Sequence, residues 1–313
     1  MDPLRLLCET QGFLNRQQVL AAGLDDRDIA AAIRSGVWRR VRRGYYTYAD
    51  LWSGLDERGR YLLTCKCVLH SLGRAVALSH VSGSVAHGLA VWDIPLDRVH
   101  VTRLDGGAGR VEAGVVHHEG LCLDDDVLDL DGLRVLSAER CALETGTRVD
   151  NEHALVVLDS VLHLGFSDPE SLRRRFELME SWPHMRHLHI PVRMAEGGSE
   201  SAGESRGRWQ FRAIGLPAPQ CQFEVHDSAG ALRGVCDWAW PEHRQLGEFD
   251  GRVKYGRLLQ PGQDPGEVVF AEKQREDELR ELTGFSMFRL TWGDYDRPRV
   301  LAARLLPRFR RAG

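Results

Sequence analysis

The sequence predicts a mixed α/β chain of the α+β class, and at 313 residues it is long enough for two or three domains. Three observations support this prediction. The first fifty residues contain two short helical patterns and a basic hairpin. Amphipathic helices that alternate with short apolar strands follow them. Two strands that carry acidic residues are then predicted around residue 240. Hydrophobic residues make up 43% and charged residues 27% of the chain, which is typical of a folded globular protein.

Residues 1–52 predict a winged helix-turn-helix domain. A short helix over 14–22 is closed by Gly23, and Asp25 can cap a second helix that runs to about Arg34. Two β-prone runs follow on either side of Gly44. Helix, turn, helix and hairpin in this order is the layout of a winged helix-turn-helix, a DNA-binding domain.

The predicted wing carries charge of one sign. Five arginines and no acidic residue lie between Arg34 and Arg43, and arginine binds phosphate through paired hydrogen bonds. The flanking tyrosines can pack or donate to phosphate. We therefore expect contacts with double-stranded DNA from six side chains: Arg27, Arg34, Arg39, Arg40, Arg42 and Arg43. The alternative is a solvated hairpin whose arginines bind nothing.

Residues 56–195 predict a mixed α/β domain. Helical and strand patterns alternate here, with helices over 61–72, 79–89 and 151–164 and strands over 76–78, 99–102 and 115–118. The histidines of this segment lack the Cys/His spacing of a zinc site, so we expect packing or hydrogen bonding for His80 and His87 on one helix face. The seven cysteines include no Cys-x-x-Cys pair and are expected to be reduced.

The first 195 residues also resemble a known family. The winged N-terminus, Leu-Ser-His-Val-Ser-Gly-Ser-Val-Ala-His-Gly-Leu at 78–89, Val-His-Val-Thr at 99–102 and His-Ala-Leu-Val-Val-Leu-Asp-Ser at 153–160 are similar to AbiEi-type antitoxins. Members of that family are DNA-binding repressors of type IV toxin–antitoxin operons. The resemblance implies a transcriptional repressor that binds double-stranded DNA and has a cognate toxin as a partner.

A linker rich in Gly and Ser over 196–203 precedes a predicted C-terminal domain at 204–313. Strands are predicted over 220–225, 234–249 and 285–292, with a helix over about 267–282 and a basic amphipathic helix over 297–311. That basic tail suits DNA backbone binding, and a merely solvated helix is the alternative.

Three carboxylates are predicted to converge at one edge of the C-terminal sheet. Asp237 lies on the first of two neighbouring strands, Glu248 lies on the second, and Asp250 follows where the second strand ends. Glu248 and Asp250 share a face because side chains alternate along a strand. Such carboxylates repel one another unless a cation neutralises them, and oxygen ligands suit Mg²⁺ or Mn²⁺. This chemistry fits metal-assisted phosphodiester hydrolysis.

The same stretch resembles the metal site of PD-(D/E)XK nucleases, and especially the branch similar to the very-short-patch-repair endonuclease. Asp-Trp-Ala-Trp-Pro at 237–241 and Glu-Phe-Asp-Gly at 248–251 carry the resemblance. It implies a restriction-endonuclease-like α/β/α core. It also implies that three carboxylates bind the metal and take part in catalysis: Asp237, Glu248 and Asp250.

One position departs from that family's pattern. The lysine expected two residues after the glutamate is Asp250 here, so Lys254 or Lys273 would have to orient the water or stabilise negative charge. Lys273 also has an ordinary explanation, because Asp277 lies one helical turn away and the two can form a surface pair.

Glu204 has two open roles. It can complete a capping box by bonding back to the amide of Ser201, or it can join the metal site, as a glutamate at the matching place does in nucleases of this branch. One carboxylate cannot do both. Two functions therefore stay open for the C-terminal domain: a nuclease that uses Mg²⁺ or Mn²⁺, or an inactive nuclease fold that binds only DNA or a partner protein.

The composition also bears on location and partners. No apolar run reaches membrane-spanning length and the first residues lack the layout of a signal peptide, so we expect a cytoplasmic protein. The formal net charge is −4, so any surface that binds nucleic acid must be a local basic patch.

Overall fold

The computed structural model describes residues 2–122, 124–251 and 265–310. Contacts within the chain divide it into two compact units, unit 1 (Met1–Val149) and unit 2 (Asp150–Gly313). Both units combine helices with β-sheet, which confirms the predicted mixed α/β class. Within the described ranges, no helix has both the length and the apolar composition needed to cross a membrane.

The first part of unit 1 has the element order of a winged helix-turn-helix. Its elements are α1 (Pro3–Gln11), β1 (Leu14–Asn15), α2 (Arg16–Ala21), α3 (Asp26–Arg34), β2 (Trp38–Arg42), β3 (Tyr45–Tyr48) and α4 (Ala49–Ser53). Strand β3 lies between β1 and β2 in an antiparallel sheet. The segment predicted as one helix over 14–22 therefore starts with a short strand and becomes helical at Arg16.

Local capping explains where α3 begins. The Asp25 side chain accepts hydrogen bonds from the amides of Arg27 and Asp28 at 2.7 and 3.0 Å. In return, the Asp28 side chain accepts one from the amide of Asp25 at 2.9 Å, which completes a capping box. The helix then buries Ile29 against Trp38 of the wing in one small core.

The second part of unit 1 is a six-stranded mixed sheet with helices. Its elements are α5 (Glu57–Leu72), β4 (Val76–Leu78), α6 (His80–Ala86), β5 (Val99–Arg103), β6 (Arg110–Glu112), β7 (Val115–His118), β8 (Val127–Leu130), β9 (Leu133–Leu136) and α7 (Ala138–Gly146). The strand order is β6-β7-β5-β4-β9-β8. The strands predicted over 76–78, 99–102 and 115–118 are confirmed, whereas the sequence pattern does not predict β6, β8, β9 or α7.

Unit 2 contains a four-stranded sheet surrounded by helices. Its elements are α8 (Asn151–His163), α9 (Pro169–Met179), α10 (His189–Met194), α11 (Ala202–Ala213), β10 (Gln220–His226), β11 (Leu232–Trp240), β12 (Gln245–Phe249), α12 (Pro265–Thr283), β13 (Ser286–Leu290), α13 (Trp292–Tyr295) and α14 (Pro298–Phe309). The sheet order is β10-β11-β12-β13; the first three strands are antiparallel, and β13 runs parallel to β12.

Helices cover both faces of this sheet. On one face Trp238 packs with Phe211 of α11 and Leu301 of α14, and on the other face Leu246 packs with Leu279 of α12. The two clusters give the three layers that an α/β/α core requires.

The division of the chain differs from the predicted one. Helices α8, α9 and α10, which the sequence assigned to the middle domain over 56–195, belong to unit 2, and α8 packs against α11. The predicted linker over 196–203 is partly buried, because the amide of Glu196 donates to Asp159 at 3.0 Å and Ser199 is buried. A buried ion pair of 2.7 Å between Arg208 and Asp159 joins the helices on either side.

Candidate nucleic-acid interface and carboxylate site

The wing turns Arg39 and Arg40 outward and its tyrosines inward. Arg39 lies opposite Thr47 and Arg40 opposite Tyr46, and the register shifts before Arg42. All four residues of β3 are buried. The hairpin turn is closed by Gly44, whose φ of 78° favours glycine.

The tyrosines therefore pack in this structure. Tyr46 stacks on Trp38 with ring centroids 6.2 Å apart, and the hydroxyl of Tyr45 lies 3.0 Å from a ring nitrogen of His70. The hydroxyl of Tyr48 donates to the carboxylate of Asp2. Of the two roles open to the tyrosines, packing is the one that the structure shows.

The six arginines predicted to contact DNA differ in their surroundings. Arg27, Arg34, Arg40 and Arg43 are exposed and form no ion pair with any described residue. Arg39 is also exposed, and its guanidinium lies 5.1 Å from the ring centroid of Trp52. We call Arg34, Arg39, Arg40 and Arg43 the basic wing.

Arg42 is set apart from the basic wing. Arg42 is half-buried, and its Nη1 atom is shielded from solvent without a hydrogen bond to a described atom. The beginning of α3 is acidic rather than basic, because Asp26 binds Arg16 at 2.6 Å and Asp25 and Asp28 form the capping box. Phosphate binding by this domain is therefore expected at the basic wing.

The first two predicted carboxylates lie on neighbouring strands of unit 2. Trp238 of β11 lies opposite Gly247 of β12, so Asp237 and Glu248 occupy adjacent positions on the paired strands. The Oδ2 atom of Asp237 accepts a hydrogen bond of 2.6 Å from the amide of Phe249. This bond holds the Asp237 carboxylate against the backbone of β12.

The Glu248 carboxylate is bound by two arginines. Its Oε1 atom accepts a hydrogen bond of 2.7 Å from Arg275 of α12, and its Oε2 atom lies 3.2 Å from Nη2 of Arg289 on β13. Arg289 also pairs with Glu276 at 3.3 Å. Because the Glu248 side chain is only 9% exposed, these guanidinium groups neutralise a largely buried charge.

Glu204 supports the start of α11. Its carboxylate accepts hydrogen bonds from the amide of Glu200 at 2.9 Å, from the hydroxyl of Ser201 at 2.6 Å and from the side chain of Gln222 at 3.2 Å. The return bond thus goes to Glu200 rather than to the Ser201 amide that the sequence suggested. Burial and, to a lesser extent, the charge of Asp237 raise the pKa of Glu204 to about 7.

The remaining predicted site residues do not complete a metal centre in the described part of unit 2. Asp250 follows β12, and its amide donates to the carbonyl of Leu290 at 2.7 Å. Lys273 is exposed on α12, and Lys254 lies outside the described residues. No three described His, Cys, Asp or Glu side chains are grouped so that they could hold a metal ion. The Mg²⁺ or Mn²⁺ site therefore stays a prediction.

Sequence reasoning missed the arginines that bind Glu248. Arg275 follows the candidate Lys273 by two residues on α12, and Arg289 is the charged residue of the otherwise largely apolar strand Ser286–Leu290. That single charge in an apolar strand was the available signal, since a buried charge needs a partner.

Three histidines of unit 1, His80, His100 and His118, lie close together with their rings stacked or tilted on one another. The rings of His80 and His118 are stacked with centroids 3.6 Å apart, and Nδ1 of His100 lies 2.9 Å from Nε2 of His118. Burial lowers the pKa of His100 to about 4 and that of His118 to about 3. His87 lies 2.7 Å from the carbonyl oxygen of Leu136. The packing and hydrogen bonding predicted for His80 and His87 are confirmed.

Comparison with known proteins gives one family match and two partial relatives. Residues 1–49 match the model of the family described as transcriptional regulator, AbiEi antitoxin. Over 123 residues the chain is 34% identical to the uncharacterized protein Rv2248 of Mycobacterium tuberculosis (strain H37Rv) and to the uncharacterized protein MT2308 of the strain CDC 1551. These matches cover 38% of the chain and 42% of each relative, so the chain spans about two fifths of the relatives' length.

A solved structure is also similar over part of the chain. The crystal structure of the RV2827C protein from Mycobacterium tuberculosis shares 14% sequence identity, covers 65% of this chain and 80% of its own, and gives a TM-score of 0.39. The family match lies on α1 to β3 and the first residue of α4, which are the elements that form the helix-turn-helix and its wing. The first 49 residues therefore carry the pattern of AbiEi antitoxin transcriptional regulators.

Proposed function

We propose that this protein is a DNA-binding transcriptional regulator of the AbiEi antitoxin kind. One observation carries the proposal: within the segment that matches the family, Arg40 and Arg43 are exposed and form no ion pair with a described residue. Guanidinium groups placed in this way can bind phosphates, and such contacts supply much of the affinity for duplex DNA. The family match also supports a cognate toxin as the protein partner.

A binding titration tests the DNA-binding half of this proposal. Fluorescence anisotropy of a labelled duplex taken from the region upstream of the gene should give saturable binding by the full chain. Replacing Arg34, Arg40 and Arg43 by alanine should weaken the affinity by about tenfold or more, because several phosphate contacts are lost. The matched control replaces three exposed arginines of unit 2, Arg173, Arg174 and Arg186, and should bind like the wild type. Equal loss in both variants would contradict the proposal.

Metal-dependent hydrolysis of DNA is a second candidate function for unit 2. It is favoured by the adjacency of Asp237 and Glu248 on paired strands. The charge of Asp237 also contributes to the raised pKa of Glu204. The arginines that bind Glu248 instead favour the alternative of a nuclease-like core that does not cut DNA.

A nicking assay separates these two possibilities. Supercoiled plasmid is incubated with the full chain and Mg²⁺ or Mn²⁺, beside the variants Asp237→Ala and Glu248→Ala. Hydrolysis by unit 2 requires that the wild type nicks the plasmid and that both variants lose the activity. Equal background cleavage by all three proteins would remove the nuclease candidate and leave the regulator.

A further inference from the structure

A cleft of about 600 Å³ lies behind the wing in unit 1. It is lined by Val41 and Arg42 of β2, by Trp52 of α4 and by residues of α5, β5 and β7. Pockets of this size hold small organic molecules in many proteins. The cleft therefore joins the DNA-binding module to the larger sheet of the same unit.

Arg42 gives the cleft an unpaired cation. Its Nη1 atom is shielded from solvent and donates to no described atom, although the exposed Arg40 and Arg43 on either side are free to be hydrated. A charged donor that is removed from water and left without an acceptor is unfavourable. A carboxylate in the cleft, beside the half-buried guanidinium group of Arg42, would give this cation an acceptor through a charge-assisted hydrogen bond.

The other charged residues of the cleft also favour an anion in its sheltered part. Arg60 donates to the carbonyl of Trp52 at 3.2 Å, and its guanidinium lies 5.5 Å from the centroid of the Trp52 ring. The acidic lining residues Glu57 and Asp97 are exposed, and Asp97 lies 3.7 Å from Arg98 outside the cleft lining. The cations are thus less exposed than the acids, so the sheltered part of the cleft favours an anion.

The cleft also has an apolar wall. Val68 of α5, Val99 of β5 and Val115 of β7 line it, and all three belong to the buried core of the sheet. An apolar group of a ligand that enters the cleft would lose its own contact with water, and the binding free energy would gain in proportion to that area. A ligand that fits both features has one carboxylate and a compact apolar body.

We infer that this cleft binds a small monocarboxylate with an aromatic or branched apolar body, whose carboxylate pairs with Arg42. Arg42 belongs to the same strand as Arg39 and Arg40, and Arg43 follows it directly. Occupancy of the cleft is therefore expected to shift the affinity of the basic wing for DNA, and this second step rests on the proposed DNA-binding function. Such coupling is reciprocal, so DNA would shift the affinity for the carboxylate by the same factor.

Binding is tested first without DNA, with 2-naphthoate as the probe and 2-naphthamide as its uncharged match. Isothermal titration of the full chain should show saturable binding of the naphthoate and binding of the amide that is weaker by about tenfold or more. Arg42→Met should remove this preference for the charged probe, whereas the control Arg40→Met, on the exposed side of the same strand, should keep it. Equal binding of the two probes, or an unchanged preference in Arg42→Met, would overturn the inference.

A second variant keeps the test decisive if Arg42→Met does not fold. Thr64→Met places a longer side chain in the lining of the cleft without changing Arg42, and it should weaken naphthoate binding.

The coupling to DNA is tested by measuring the duplex affinity of the full chain with and without saturating naphthoate. A change of about threefold or more supports the coupling, and an unchanged duplex affinity would overturn it. If the wild type binds no duplex, the proposed function fails, while the titration without DNA still decides the ligand site.

Discussion

Glu248 is held by guanidinium groups from two elements that lie far from it in the sequence. Arg275 follows it by 27 residues and is brought back by α12, and Arg289 comes from the parallel strand β13. Both ion pairs are partly sheltered, with the arginine side chains 37% and 26% exposed. The carboxylate thus stabilises the folded unit by neutralising two cations.

Glu248→Gln should therefore destabilise unit 2. The substitution keeps the size of the side chain, but it removes the anion beside Arg275 and leaves Arg289 with Glu276 alone, which should cost about 2 kcal/mol. Urea unfolding in the presence of EDTA measures the difference from the wild type. If Glu248 instead belonged to a cluster of carboxylates that repel one another, Glu248→Gln would raise the unfolding free energy, because the loss of one negative charge would relieve the repulsion. A variant that is as stable as the wild type, or more so, would contradict the account of Glu248.

Glu204 predicts a dependence of stability on pH. Burial and the charge of Asp237 raise its pKa from 4.5 to about 7 in the folded protein. The protonated form of Glu204 therefore stabilises the folded protein. This contribution is fully present at a pH below the pKa of Glu204 in the unfolded chain, and it is lost as the pH rises through the pKa in the folded protein.

Between about pH 5.5 and about pH 8, the wild type should lose about 2 kcal/mol of unfolding free energy through Glu204. Glu204→Gln cannot ionise and should lack this part of the pH dependence. Urea unfolding of both proteins at the two pH values gives the difference directly. Parallel pH profiles for the two proteins would show that Glu204 does not titrate as described.

The sequence was informative about which carboxylates come together and uninformative about what neutralises them. Alternation and the turn after β12 correctly place Asp237 and Glu248 on neighbouring strands. A pattern of acidic residues does not show what neutralises them, because a metal ion and two arginines that are distant in the sequence can neutralise the same carboxylate. The partners of Glu248 depend on how α12 and β13 return to the sheet, which is a tertiary property.

At the scale of elements, α3 depends on its capping box. Asp25→Ala should lower the stability of unit 1 by about 1 kcal/mol, since two amides at the start of the helix lose their acceptor. Asp26→Ala is the matched control, because it removes only an ion pair between side chains that are 50% and 65% exposed. That control should change stability by less than about 0.5 kcal/mol. Thermal unfolding measures both variants, and equal effects would contradict the role of the cap.

Elements with local signals were predictable, and elements defined by long-range contacts were not. Glycines and caps mark α3, and apolar runs mark β4, β5 and β7. Helix α7 was missed because it buries Arg140 and Glu144, which pair with each other at 2.9 Å, and Arg140 also binds Asp126 at 2.7 Å. Buried charges hide the apolar periodicity on which helix prediction depends.

At the scale of the whole molecule, the division between the two compact units falls at Val149/Asp150, before the stretch predicted as a linker. The Gly- and Ser-rich stretch over 196–203 has the composition of a linker, but the buried pair of Asp159 and Arg208 joins α8 to α11 across it. Burial raises the pKa of Asp159 to about 6 in spite of that arginine. Composition alone cannot show that two helices on either side of a stretch are packed together.

The whole chain carries a net charge of −4, so the DNA binding proposed for it requires a local basic surface. We propose the basic wing as that surface, because it lies within the segment that matches the family model. Because phosphate contacts release counterions, the number of contacts appears in the salt dependence of binding.

The most direct test is the slope of log K against log salt concentration for duplex binding by the full chain. Each phosphate contact contributes about −0.9 to that slope, so Arg34→Ala, Arg40→Ala and Arg43→Ala together should make it shallower by up to about 3. The control with Arg173, Arg174 and Arg186 replaced should keep the slope of the wild type. If the wing variant binds with the same affinity and the same slope as the wild type, the basic wing does not bind DNA and the regulator account fails.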